Sequence, residues 1–145
     1  MRQWIAAALL AVPAIVSAQT TSFVARLTPV PIDVAAQATI SGIGSATATL
    51  TGVRLTIDGK FEGLRSPATV ARLHMGLTRG VRGPAIGDLT VTPGVKGALS
   101  GSVDLTAPQV AALRRGAVYI QIHSEKAPDG NLWGWLLLPS QKGAR

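Results

Sequence analysis

From Val53 the chain alternates: Val53, Leu55, Ile57 and Phe61 fall on one parity, and Arg54, Thr56, Asp58, Lys60 and Glu62 on the other. A period of two with the charges on one side marks an antiparallel strand with one face on a core. Phe23–Leu27 and the Thr-rich Ala46–Leu50 have the same character. The first is closed by Pro29 and Pro31, and the second turns at Thr51-Gly52. Downstream, Thr69–Met75, a short Leu89–Val91, Gly97–Leu105, Val118–His123 and Leu132–Leu138 complete the set. A Gly-rich loop runs from Gly76 to Gly87, and Ala127-Pro128-Asp129-Gly130 predicts the turn between the last two strands.

One helix interrupts the strands. Thr106-Ala107-Pro108-Gln109 has capping-box spacing, Arg114 and Arg115 suit a helix C-terminus, and Gly116 can take the left-handed cap. Many short strands with Gly/Pro turns predict an all-β fold. The expected form is an antiparallel, Greek-key-like sandwich or flattened barrel with one short helix at about 106–115.

Composition narrows the class. The chain has 145 residues, 47% of them hydrophobic and 14% charged, which excludes a disordered chain and suits a single domain. The absence of Cys excludes a disulfide scaffold, a zinc ribbon and thiol catalysis. Met1–Ala18 carries Arg2, an apolar run from Trp4 to Val16, and the small-x-small triplet Val16-Ser17-Ala18. That pattern predicts a signal peptide over residues 1–18 with cleavage between Ala18 and Gln19. The mature domain is then residues 19–145, secreted or periplasmic, with no segment long enough to span a membrane.

The net charge of +7 is scattered, with no basic block longer than Arg114-Arg115. Nucleic-acid binders concentrate their basic residues and interleave stacking aromatics, so nucleic acid is not the expected partner.

Several motifs occur in an informative order. Phe23-Val24-Ala25-Arg26-Leu27 opens the domain, Ala71-Arg72-Leu73-His74-Met75-Gly76 follows, and Gly83-Pro84 lies in the next loop. Gly101-Ser102-Val103-Asp104-Leu105-Thr106 leads into the helix with Leu113 and Gly116. Val118-Tyr119-Ile120-Gln121-Ile122-His123 and Pro128-Asp129-Gly130-Asn131-Leu132-Trp133-Gly134-Trp135-Leu136 close the series. Together they resemble the CHRD domain, the repeat named after chordin and found alone in exported bacterial proteins. The resemblance spans nearly all of Phe23–Leu138 and implies an exported all-β binding or structural domain with no established enzymatic activity, and no cofactor is expected. Three positions depart from the family pattern. Arg72 stands for the first His of a two-His segment, Trp133 and Trp135 stand for Arg and Gln, and Asn131 stands for Glu.

Strand parity locates the candidate chemistry. Ala71, Leu73 and Met75 form the apolar side of one strand, which leaves Arg72 and His74 opposite. Val118, Ile120 and Ile122 likewise leave Tyr119, Gln121 and His123 facing away from the core. The family's two-His segment is loosely similar to the H-x-H strand of copper–zinc superoxide dismutases. A metalloenzyme of that type, using His74 and His123, is therefore one alternative. It would need Asp88, Asp129 or Glu125 to complete a ligand set, with the Arg72 cation beside the metal. His123-Ser124-Glu125 are sequence neighbours, and neighbours on a strand face opposite ways, so they do not make a triad.

Trp133, Trp135 and Leu137 share the parity opposite Leu132, Gly134, Leu136 and Leu138. Two arrangements are open. The tryptophans form an exposed stripe for a protein or sugar, or the Gly76–Gly87 loop or the Thr28–Ala38 segment covers them. The expectation is a binding or structural module whose face holds Tyr119, His123, Trp133 and Trp135, with Arg72 and His74 nearby. Its partner would be a protein or polysaccharide of the cell envelope, and a polysaccharide would be held through exposed Trp.

Overall fold

The computed structural model describes residues 11–143. The expected leader falls partly outside them, and residues 11–18 are exposed with no regular element. Eight strands follow: β1 (Thr20–Pro29), β2 (Ile43–Thr51), β3 (Arg54–Glu62), β4 (Ala68–Met75), β5 (Ala85–Val91), β6 (Gly97–Asp104), β7 (Val118–Ser124) and β8 (Ala127–Trp135). One helix, α1 (Ala107–Arg114), links β6 to β7. Short 3-10 turns lie at Ala36–Ala38 and Pro139–Gln141.

All neighbouring strands are antiparallel, and they close in the order β1-β2-β3-β6-β5-β4-β7-β8. The adjacency of β4 to β7 makes β4–β7 a Greek key, three hairpin-linked strands and a fourth returning beside the first. Of the two expected forms, sandwich or flattened barrel, the strands take a barrel, closed as a continuous ring of eight. Closure depends on β1 meeting β8, through Thr28↔Trp133, Pro29↔Leu132 and the isolated bridge Val24↔Leu137. A ring has no unpaired edges, and this is the physical advantage of closing rather than stacking two sheets.

The alternation places the core inside the ring. Phe23, Leu27, Leu55, Ile57, Leu73, Ile120, Ile122 and Leu132 are all fully buried, and Ala112 and Leu113 of α1 join the same cluster. The helix forms as its sequence predicts: Thr106 accepts from the Gln109 amide while the Gln109 side chain accepts from the Thr106 N–H. Gly116 ends it at φ 78°.

Two local expectations are corrected. The β7–β8 turn is Glu125-Lys126, because Ser124 pairs with Ala127 and Ala127-Pro128-Asp129-Gly130 already belongs to β8. Pro128 is tolerated there because the ladder is irregular between Ile122 and Ser124, so no donor is required of it. The piece expected at Leu89–Val91 begins earlier, at Ala85, because β5 pairs along β4 from His74↔Ala85 to Ala71↔Leu89.

Candidate functional site

The ring order sets β4, β7 and β8 side by side, so their outward residues share one patch. His74 pairs across from Tyr119, Arg72 from Gln121, Tyr119 from Trp135, and Gln121 from Trp133. Position alternates, so every one of these points away from the barrel interior.

Tyr119 is the centre of the patch. It faces outward yet is only 1% exposed, and it stands apart from the core cluster inside the ring. The cover is the β4–β5 loop. The Gly83 N–H donates to the Tyr119 hydroxyl at 3.1 Å, and that hydroxyl lies 3.2 Å from the Gly83 oxygen, to which it donates. His74 Nδ1 donates to the same oxygen at 2.9 Å. Gly83 has to be glycine, because a Cβ there would run into the Met75 carbonyl.

The rings form a connected layer. His74 stacks on Tyr119 with centroids 4.9 Å apart and planes at 15°. Tyr119 meets Trp135 at 4.4 Å and Trp133 at 5.8 Å, the latter edge-on at 81°. Trp133 and Trp135 meet each other at 5.7 Å and 65°. Edge-to-face and offset contacts of this kind suit the ring quadrupoles. From the loop, the Arg82 guanidinium sits 5.4 Å above the Trp133 ring, within cation–π reach. Both tryptophans are half-buried. The two arrangements left open by the sequence therefore combine: the loop seals Tyr119 and leaves the indoles partly open. In the alternative cover, Ile32 and Val34 are 42% and 85% exposed.

The polar groups are largely engaged. Arg72 forms an exposed ion pair with Asp88 at 3.1 Å. His123 Nδ1 donates to the Pro128 oxygen at 2.8 Å. The Gln121 amide donates to the Asp129 oxygen at 3.0 Å and approaches His123 Nε2 at 3.5 Å. Both histidines thus carry their ring proton on Nδ1 when neutral. His74 Nε2 is buried without a hydrogen-bond partner. Desolvation holds the His74 pKa below its ordinary value, against the Gly83 hydrogen bond, with His123, Arg72 and Arg82 adding repulsion.

No group of three His, Cys, Asp or Glu residues able to hold a metal occurs among the described residues. Asp88, one candidate third ligand, is turned to Arg72.

Parity found the histidines, Tyr119 and the tryptophans. Arg82 and the double role of Gly83 were missed, because a loop without periodicity gives no direction to its side chains. The Gly83-Pro84 pair was the available signal.

Neither a curated protein nor a solved structure matches the chain. The model of the CHRD domain matches residues 23–136, the whole barrel from the first core residue of β1 to just past β8. With that match over most of its 145 residues, the chain belongs to the CHRD domain family.

Proposed function

We propose that this CHRD domain is an exported, non-catalytic binding module of the periplasm or cell envelope, and that it works through the outer face of β4, β7 and β8. The observation that carries the reading is the half-open pair Trp133 and Trp135. The pair is braced from below by buried Tyr119 and flanked by Arg82. Rigid indoles beside a cation offer large contact area at little entropy cost, the usual make-up of binding hot spots. The polar side chains on the face hold backbone oxygens and an ion pair, which favours a platform over a reaction centre. No helix among the described residues is long and apolar enough to cross a membrane.

An envelope polysaccharide is the partner this surface fits best, since flat apolar rings match the faces of sugar rings. The test is co-sedimentation of the mature domain with insoluble envelope polysaccharide, beside Trp133→Ala and Trp135→Ala. Wild type is expected in the pellet, with each variant weakened about tenfold or more, the loss of one hot-spot residue. Unchanged sedimentation of both variants would overturn the reading.

A further inference from the structure

A second surface lies round the barrel from the tryptophans. A cleft of about 550 Å³ opens on the outside of β1 and β2, lined by Val24, Arg26, Ser45, Thr47, Leu137 and Lys142, with Arg79 of the β4–β5 loop at its wall. Ala25 and Ala46, which also line it, are buried members of the core cluster. In register, Arg26 lies across from Ser45 and Val24 across from Thr47, so β1 and β2 hold the groups side by side.

Four features describe its ligand. Among the described residues the lining offers Arg26 and Lys142 and no Asp or Glu, with Arg79, which is engaged with another group, at the wall. Positive charge concentrated in a concavity focuses the field and draws anions. No aromatic side chain occurs among the described lining residues, so the cleft offers a base no aromatic stacking partner. Ser45 and Thr47 offer hydroxyls beside the apolar Val24 and Leu137, a mixture suited to a hydroxylated ring. The volume falls in the range of about 300–1,000 Å³ seen for small-molecule sites, more than a bare oxyanion fills.

We infer that this cleft binds an anionic saccharide, with a carboxylate or phosphate held by Arg26 and Lys142 and the sugar ring against Val24, Leu137, Ser45 and Thr47. The inference extends the binding-module reading but uses different residues, so either can fail alone. The β1–β8 register makes the two surfaces neighbours: between Thr28↔Trp133 and Val24↔Leu137 it sets Arg26 across from Trp135.

Isothermal titration of the mature domain tests it with four probes: oligogalacturonate, glucose 6-phosphate, a neutral glucan of matched length, and inorganic phosphate. Either anionic sugar is expected to bind and to weaken as salt rises, and the arm that binds identifies carboxylate or phosphate as the charge recognised. Arg26→Gln and Lys142→Gln are each expected to reduce that binding about tenfold, whereas Lys96→Gln, an exposed cation outside the cleft, leaves it unchanged. Both cationic side chains are at the surface, so the variants should melt with wild type. Absence of binding by both anionic sugars overturns the inference, as does equal binding of the neutral glucan by the Trp133→Ala/Trp135→Ala double variant or indifference to both charge variants. Inorganic phosphate binding as tightly as the sugars overturns the saccharide assignment. Loss of envelope binding by Trp133→Ala with intact sugar titration supports both surfaces. Unchanged envelope binding by Trp133→Ala with the charge-dependent sugar titration intact removes the tryptophan reading alone.

Discussion

His74 lies flat against Tyr119, and both side chains donate to one backbone oxygen, that of Gly83. The pair therefore does two things at once: it fills the space beneath the β4–β5 loop and pins the loop's return. Tyr119 reaches the loop through its hydroxyl, His74 through Nδ1, and the stacked rings fix the spacing between the two donors.

Removing the Tyr119 hydroxyl isolates this anchor. Tyr119→Phe keeps the stack but leaves the Gly83 N–H without its partner. A loss of about 1 kcal/mol is expected, the low end of the cost of stranding a donor, because the Gly83 N–H is part-buried. Urea unfolding measures it, and a variant as stable as wild type would show that the loop is held by other contacts.

Gly83→Ala attacks the same anchor from the backbone. A Cβ cannot fit against the Met75 carbonyl, so the loop must lift. Tryptophan emission should shift to the red as Trp133 loses its Arg82 cover, and the midpoint of thermal unfolding should fall. Emission and melting equal to wild type would mean that the loop accommodates the methyl group.

His74 makes stability depend on pH. Its folded pKa is depressed by desolvation, so the unfolded chain binds the proton more readily. Stability is expected to hold above the ordinary value of 6.5 and to decline as pH falls from there towards the lower folded pKa. A proton arriving at Nε2 would be buried without an acceptor, facing Arg72, Arg82 and His123. His74→Asn can still donate to Gly83 but does not titrate. Melting curves between pH 7 and pH 5 should therefore flatten in this variant, and an equal slope in both proteins would move the effect to another group.

The Arg72–Asp88 pair should contribute little. Its side chains are 45% and 86% exposed, and pairs of that kind are worth about 0–1 kcal/mol. A double-mutant cycle with Arg72→Ala and Asp88→Ala should give a coupling below about 1 kcal/mol that disappears in high salt. A larger, salt-resistant coupling would make the pair part of the site's architecture.

Inside the ring, Ile57→Ala should cost about 2–5 kcal/mol, the range for truncating a fully buried aliphatic side chain. Chemical denaturation measures this directly, and a cost under 1 kcal/mol would mean that the core collapses around the gap.

The strands, the helix and the facing of each side chain were legible because alternation and capping are local. Thr106 and Gln109 lie three positions apart, and their contact needs no knowledge of the rest of the chain. The same parity put His74, Tyr119, His123, Trp133 and Trp135 outside the core. It could not say that Tyr119 would be sealed, since this depends on where an aperiodic loop lands. Closure of the ring was hidden for a related reason. Thr28 and Trp133 are far apart in sequence, and no local pattern distinguishes a strand that meets its partner from one left at an edge. The cationic cleft was missed because Arg26, Arg79 and Lys142 belong to three distant segments and look like scattered surface charge until the fold collects them.

The meeting of β1 with β8 governs when the molecule can finish folding. Chain emerging from a ribosome or a translocon can pair β1 with β2 and β2 with β3 at once, and β6 later covers β3, but the outer edge of β1 stays unsatisfied until β8 arrives. Contacts of such long sequence separation close late and slowly. The interval before β8 docks is therefore the period in which a chaperone has most to protect, and a truncation that removes β8 leaves it open indefinitely.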